Sequence, residues 1–583
     1  MKNVIYYIFI VFIFVILTNS SCDNFLEKPP GVDVTEDTIF SSAKQFEYFV
    51  YGTYWWGVMS DLPYFDARAK FDCSTSTSTD ESINNTYTWY YNMLVWNTAN
   101  MNPTSNRNTG DPRWSTYWGA IRRCNIILER IDDAQFDDVS PAYADELKKT
   151  SKGEAFMIRA MQYFDLFKMY GGVPLVKKRL LSSDDLLIPR ATLQETYDFI
   201  LEDCEAAIAL LPNPRDIPDN RRGRLSNVAA MHLKAKLMLY AASPLFNTAT
   251  PYLPFGENNQ LIIFGEYRKD RWKQAADAAK ETIDAAEGNG IALVRNKTVI
   301  ENNETKEIPY RYVWETVDNE EVILADQPYI NRRFGHAPWN FSCSPLLGGS
   351  GGYYMTFNFL QKYSKADGNP QDWERSGNDF MKKIKELEPR FHQTVSYHGS
   401  YWTQEYPALD CAGGNQNNET GLIIHKPYPY ALTSSSSPGI IPKGILFRLA
   451  DLYLMYAEAL NEYYDTPPAD AYKYINLVKN RAGVASLPEN LTKEQFREKV
   501  RNERAVEFCN EGHRLWDIQR WMIAEEDGVM TGDMLGFKLT KSGSEVSYVV
   551  YTATTRTYNR KMYRLPFLQN EVNKGYIIQN PGY

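Results

Sequence analysis

The densest run of chemistry-bearing side chains lies near the C-terminus, where Glu503, Arg504, Glu507, Glu511, His513, Arg514 and Asp517 follow one another closely. Carboxylates and a histidine in one place invite two readings, acid–base hydrolysis between two carboxylates or a metal site. The spacing argues against both. Glu511 and His513 are two residues apart and fall on different faces of a helix. No His-Glu-x-x-His pattern and no nucleophile elbow occurs. Neither reading finds support in the spacing, and Glu154, Arg159 and Asp165 read as internal pairs or solvated positions. Six cysteines beyond Cys22 (Cys73, Cys124, Cys204, Cys343, Cys411 and Cys509) are widely and irregularly spaced. An exported chain permits bridges, but Cys124, Cys204 and Cys509 sit in helical patterns as small hydrophobes. No disulfide, metal site or cofactor is assigned. The glycines from Gly348 to Gly352 and the serines from Ser434 to Ser437 lack the strand–loop–helix setting of a phosphate cradle.

A different chemistry is carried by rings. Of the 583 residues 14% are aromatic, with 40 Tyr and 13 Trp. Such side chains fill cores, and they also suit half-wet surfaces where a flat apolar face needs a polar edge. The bland reading is a tyrosine-rich core; the sharper one is a set of platforms for the C–H faces of sugars. The net charge is −9 and the basic residues form no long blocks, so a nucleic-acid partner is not expected.

The elements that must position these groups are mostly helical. In Lys152 to Tyr170, the residues Phe156, Ala160, Tyr163, Phe167 and Tyr170 make one stripe. Gly171, Gly172 and Pro174 end it. Ser226 caps a helix that stops at Ser243-Pro244, and Trp272 to Ala286 is an alanine-rich partner across a long insertion. Phe447 to Tyr463, the turn Asp465-Thr466-Pro467-Pro468 and Ala469 to Arg481 form a tetratricopeptide-like pair. Thr492 and Gln495 make a capping box for a helix to about Asn510. One such pair cannot bury its own faces, so several must stack; the fold class is mostly α, with about four tetratricopeptide-like helical hairpins, long irregular loops and minor β-structure. The loops are expected over about Asp61 to Pro112 and Asn289 to Pro442, with strand-like runs at Val322 to Leu324 and Leu422 to Ile424. Long loops on a rigid scaffold are where binding residues concentrate.

At the start of the chain, Lys2 precedes an apolar run from Val4 to Leu17, then Thr18-Asn19-Ser20-Ser21 and Cys22. The run is shorter than the ~20 residues that span a bilayer and fits a signal peptide. A Cys directly after small residues suggests lipoprotein processing, with residues 1–21 removed and Cys22 acylated. Asn19 departs from the usual aliphatic residue, and ordinary cleavage nearby would leave Cys22 a free thiol. A diacylglyceryl group would anchor the chain stably to a membrane.

Several segments resemble the SusD/RagB family, in that family's order. They are Cys22-Asp23-Asn24-Phe25-Leu26-Glu27; Gly153-Glu154-Ala155 through Tyr170-Gly171-Gly172-Val173-Pro174; and Lys234-Ala235-Lys236 through Ser243-Pro244-Leu245-Phe246-Asn247. Arg448-Leu449-Ala450-Asp451 through Glu462, Arg501 through Trp521 and the terminal Gln579-Asn580-Pro581-Gly582-Tyr583 complete the set. The resemblance implies a non-enzymatic, lipid-anchored outer-membrane protein facing the cell exterior. Its hairpins would pack against a SusC-like TonB-dependent β-barrel transporter, to which it delivers captured oligosaccharide. It implies a single domain over 22–583, with an N-terminal part 22–288 and a C-terminal part 289–583. The C-terminal part holds ligand loops and the last helix pairs.

Carbohydrate sites of that family combine aromatic side chains with a few hydrogen-bonding partners from the early loop and the mid-chain insertion. By that likeness Trp96, Tyr310, Tyr312 and Trp339 are expected to stack on ligand, with Asn97 and Arg332 as polar partners. Trp114, Tyr117, Trp118, Trp516 and Trp521 are expected in the frame. Peptide cargo on the same fold is the alternative, and a glycoside hydrolase is the third reading, since 72 acidic residues always allow a pair to be imagined.

Overall fold

The protein is described here by a computed structural model, which covers residues 35–58, 74–84, 91–111, 113–301, 304–316, 318–326, 347, 352–412, 418–426, 428–431 and 444–583. Cys22, Arg332 and Trp339 lie outside the described residues, as do Cys73 and Cys343.

Helices begin where a side-chain oxygen can take up N–H groups that have no partner within the helix. Ser42 does this for α1 (Ala43–Gly57) and Ser140 for α3 (Pro141–Tyr170), which also has Pro at its first position. The helix between them, α2 (Trp114–Arg130), has no side-chain cap. Thr192 and Glu195 form a reciprocal capping box on α4 (Leu193–Leu210), and Ser226 caps α5 (Asn227–Ala242). Then come α6 (Asp270–Gly288), α7 (Leu449–Tyr463) and α8 (Ala469–Arg481). The expected capping box of Thr492 and Gln495 opens α9 (Lys493–Glu507), and α10 (Arg514–Trp521) follows a tight turn. That turn has Asn510 in the left-handed region, so α9 stops short of the expected Asn510.

Each helix from α2 to α8 packs on its neighbour in sequence, and α9 returns to α7. The outcome is a row of hairpins, as the stripes require. Gly171 ends α3 at φ +85°, and a Cβ on Gly172 would collide with the carbonyl of Ala191. The Tyr-Gly-Gly sequence is therefore needed for the chain to reverse closely against α4. Three cores form. One joins α1 to α5 with the C-terminal segment, a second joins α5 to α9, and a third lies under the mid-chain coils.

The sheets are small. Strands β1 (Ser82–Ile83), β3 (Tyr354–Met355), β5 (Ile423–Ile424) and β4 (Val395–Ser396) lie in that order, all antiparallel. Strand β2 (Val322–Asp326) pairs with β6 (Gly444–Arg448), which runs directly into α7. Phe447 and Arg448, expected as the first turn of that helix, are ladder residues facing Leu324 and Val322. The longest strands, β7 (Gly532–Ser542) and β8 (Glu545–Arg556), form a hairpin through Gly543 at φ +61°. Val546, Tyr548 and Val550 are buried while Val549 is exposed, a period of two that places one face on the third core. Helix α3 starts earlier than its apolar stripe suggests: most of Pro141 to Lys149 is exposed, and Leu147 is the one fully buried residue there.

Candidate ligand-binding site

The C-terminal cluster is a buried ion-pair lattice. Glu507 accepts hydrogen bonds from Arg448 at 2.7 Å, Arg390 at 3.1 Å and Arg481. Glu321 takes the same Arg448 at 2.9 Å and Arg481 at 2.8 Å. Glu511 takes Arg448 at 2.9 Å and Lys426. Asp517 holds Arg504 and Arg520, each at 2.9 Å, while Arg514 forks onto Asp80 at 2.8 and 2.7 Å. Burial pushes the Glu507 carboxyl up, but Arg481, Arg448 and Arg390 outweigh it and hold the group below the usual carboxylate range. His513 stacks on Phe508 with ring centres 4.5 Å apart, and burial pushes its imidazole down to about 3. At neutral pH it is uncharged. These carboxylates are saturated by fixed cations inside the frame, which leaves them no part in acid–base chemistry.

The upstream trio is internal too. Glu154 pairs with Arg224 and accepts from Tyr54 Oη at 2.7 Å. Arg159 forks onto Asp203 at 2.8 and 2.7 Å and donates to Asn125 at 2.6 Å. Asp165 meets Lys168 at 2.7 Å. Cys124, Cys204, Cys411 and Cys509 are buried free thiols, and among the described residues no set of His, Cys, Asp or Glu is arranged to hold a metal.

The expected ligand residues fall into different surroundings. Trp96 is 1% exposed and belongs to the helical core, with Gly110 and Met101 against its indole. Asn97 beside it is half-buried and donates to the Thr77 carbonyl at 3.1 Å. Tyr310, also 1% exposed, is enclosed in the ion-pair lattice; its hydroxyl donates to the Glu507 carbonyl at 3.1 Å and accepts from Lys426 at 2.9 Å. Neither Trp96 nor Tyr310 presents a ring face to solvent, because the short helices that carry them, Tyr91–Asn97 and Pro309–Glu315, turn both rings inward. Tyr312 is half-buried, with Lys297 Nζ 4.5 Å above its ring. Trp114, Tyr117, Trp516 and Trp521 are frame residues, and Trp118 is partly buried beside them.

The described surface offers another ring system, which the sequence reading did not single out. Tyr401 stacks on Tyr430 at 5.9 Å and 12°, and Tyr430 stacks on His425 at 3.9 Å and 17°. Trp402 closes the base, 4.7 Å from both His425 and Tyr428. Tyr401 and Tyr430 are half-exposed, as are Tyr397 and His392 next to them. The short helix Pro309–Glu315 buttresses the column: Arg311 lies 4.1 Å over the Tyr430 ring, and Glu315 accepts from the Tyr430 backbone at 2.6 Å. Tyr430 Oη donates to the His392 carbonyl at 3.0 Å, and Tyr401 Oη to the Tyr430 carbonyl at 3.2 Å. The rings are thus fixed by hydrogen bonds at their edges, a preorganised surface for a flat ligand. Burial pushes the His425 imidazole down to about 3, so the column is neutral at physiological pH. The available signal was Gly399-Ser400-Tyr401-Trp402 and Pro427-Tyr428-Pro429-Tyr430, rings set among residues that stop regular structure.

A helical frame with a saturated interior and a fixed ring surface over it defines a binding protein. Two family models match in succession: residues 25–239 match "Starch-binding associating with outer membrane", and residues 329–583 match "SusD family". The chain belongs to the SusD/RagB family. By that membership it is a non-enzymatic, carbohydrate-binding protein associated with the outer membrane. It is 25% identical over 448 residues to a SusD-like protein of Formosa agariphila, covering 73% of this chain and 75% of that one. A SusD-like protein of Bacteroides ovatus is 22% identical over 512 residues, 86% of this chain and 79% of that one. Among solved structures, a SusD-like protein from Bacteroides fragilis superposes with a TM-score of 0.76 at 24% identity, covering 95% and 100% of the two chains. A SusD-like carbohydrate-binding protein from the same species gives 0.69 at 20%, covering 93% and 99%. A laminarin-binding SusD-like protein gives 0.56 at 21%, again covering 93% and 99%. These likenesses establish the mostly helical fold with hairpin packing and minor sheets.

Proposed function

We propose that the protein is a surface-exposed lipoprotein, anchored through Cys22, that captures oligosaccharide and hands it to a SusC-like TonB-dependent transporter. The observation that carries the glycan reading is the stacked column of Tyr401, Tyr430 and His425, whose two tyrosines are half-exposed and held in place by hydrogen bonds at their rims. Two solved relatives described as carbohydrate-binding and laminarin-binding support it. Tyr312, on the short helix that backs the column, is assigned to the proposed site together with Arg332 and Trp339, which lie outside the described residues. Asn97, next to the buried Trp96, is assigned as a polar partner, and Tyr310 holds the short helix to the frame. The mature chain 22–583 acts as one domain, its parts 22–288 and 289–583 joined through the contact of α6 with α7.

Ligand can bias delivery only through a difference in affinity between the free and transporter-docked states, so modest affinity is expected. Isothermal titration of the purified chain against a panel of plant, microbial and host oligosaccharides, with a peptide panel in parallel, tests the reading. Heat from a glycan, lost in Tyr401→Ala/Tyr430→Ala, is the expected result. Binding of peptides alone would transfer the same fold and partner to peptide cargo.

A further inference from the structure

Helix α1 is apolar on both sides. Ala43, Phe46, Val50, Thr53 and Gly57 face the core. On the opposite face Tyr48 is 58% exposed and Tyr51 46%, with Trp55 at 43% in line and Trp56 at 44% on the flank. Positions 48, 51 and 55 follow helical spacing, so the rings form one stripe along the axis, about 10 Å long at 1.5 Å per residue. A helix that is apolar all round belongs in an interior or at an apolar boundary, and patches of this kind mark interaction sites.

We propose that this face rests on the lipid surface, with α1 lying flat at the headgroup boundary. Three observations favour a membrane over other occupants. The stripe contains only Tyr and Trp, whose polar edges and apolar bodies suit the interface, and no Leu, Ile or Val. Its acidic neighbour Glu47 is compensated by Arg221 and by the Tyr143 hydroxyl at 2.9 Å, while Lys44 adds a positive group. Glu47 therefore presents no free carboxylate to an anionic lipid surface. Finally, the first described helix begins at Glu36, only 14 residues after Cys22 in sequence, so an anchor there is held within at most about 50 Å of the body that carries α1. An acyl anchor would hold the stripe at high effective concentration near the bilayer, so weak insertion of the rings suffices. The flat contact then fixes the orientation of the body, which a lone tether would leave free.

The inference rests on the lipid-anchored reading above, and its test omits the lipid so that the two fail separately. The full mature chain with Cys22→Ser is mixed with unilamellar vesicles of phosphatidylethanolamine and phosphatidylglycerol. It is expected to sediment with them and to lose tryptophan emission when the acyl chains are brominated. The Tyr48→Ser/Tyr51→Ser/Trp56→Ser variant should stay in the supernatant with an unchanged thermal melt. No sedimentation or quenching of the parent overturns the proposal whatever the variant does. So does equal sedimentation of both, or a concentration-dependent dimer abolished by the triple substitution, which would make a second copy the occupant. Whether Cys22 is acylated is answered independently, by the mass of the peptide containing it.

Discussion

Glu507 illustrates how a residue type can suggest chemistry that its partners forbid. Three arginines share its carboxylate, so truncation to Ala leaves several cations buried without a counter-charge. Breaking such a pair costs about 3–5 kcal/mol. A loss of unfolding free energy of about that size in urea titration, with the fold otherwise retained, is expected for Glu507→Ala. The pH dependence divides by sign. Burial pushes Asp517 up, but Arg504 and Arg520 bring it down from 3.8 to about 2, so it contributes stability above its unfolded value that is lost as pH falls through about 2. Glu81 behaves oppositely. Burial, opposed by the Asn510 backbone N–H and Ser76, moves it from 4.5 up to about 7. Its contribution is complete below the unfolded value and is lost as pH rises through about 7. Asp111, at about 6 through burial, has the same sign. Acidification from about pH 8 to about pH 5 should therefore raise the melting temperature, and less so in Glu81→Gln. An equal slope in the variant would contradict the assignment to Glu81.

At the scale of elements, capping and packing decide most of what was legible in the sequence. The helix Ala469–Arg481, the box of Thr492 with Gln495 and the stop at Gly171-Gly172 stand where the sequence puts them, because each depends on local chemistry. Thr492→Ala is expected to cost about 1 kcal/mol in equilibrium unfolding. Gly172→Ala should cost more, since the added methyl must displace the Ala191 carbonyl. Elements set by distant partners were less legible. Phe447 continues the apolar stripe of α7 yet lies in a strand, because Leu324 comes alongside it from far away in sequence. The β7–β8 hairpin was missed because its buried face finds its core among the mid-chain coils. The same limit applies to the site. Trp96 and Tyr310 share the ring chemistry of Tyr401 and Tyr430, and only tertiary packing separates buried rings from half-exposed ones.

For the whole molecule, the division of labour is between a frame locked by internal charge pairs and surfaces that carry rings. The lattice around Glu507 and Asp517 ties β6, α7, α8, α9 and α10 into one unit. A rigid frame reduces the entropy lost when ligand binds, since the column needs no rearrangement to present its faces. Aromatic contacts of this kind contribute about 0.5–1.5 kcal/mol each beyond buried area. Removing both half-exposed tyrosines should therefore weaken binding strongly in a variant that still melts as a folded protein. The most direct test is isothermal titration of the chain and its Tyr401→Ala/Tyr430→Ala variant with the oligosaccharide that gives the largest heat in the panel. The expected result is saturable binding by the parent and at least about tenfold weaker binding by a variant that retains the fold. Undiminished affinity in that variant would contradict the assignment of recognition to the ring column.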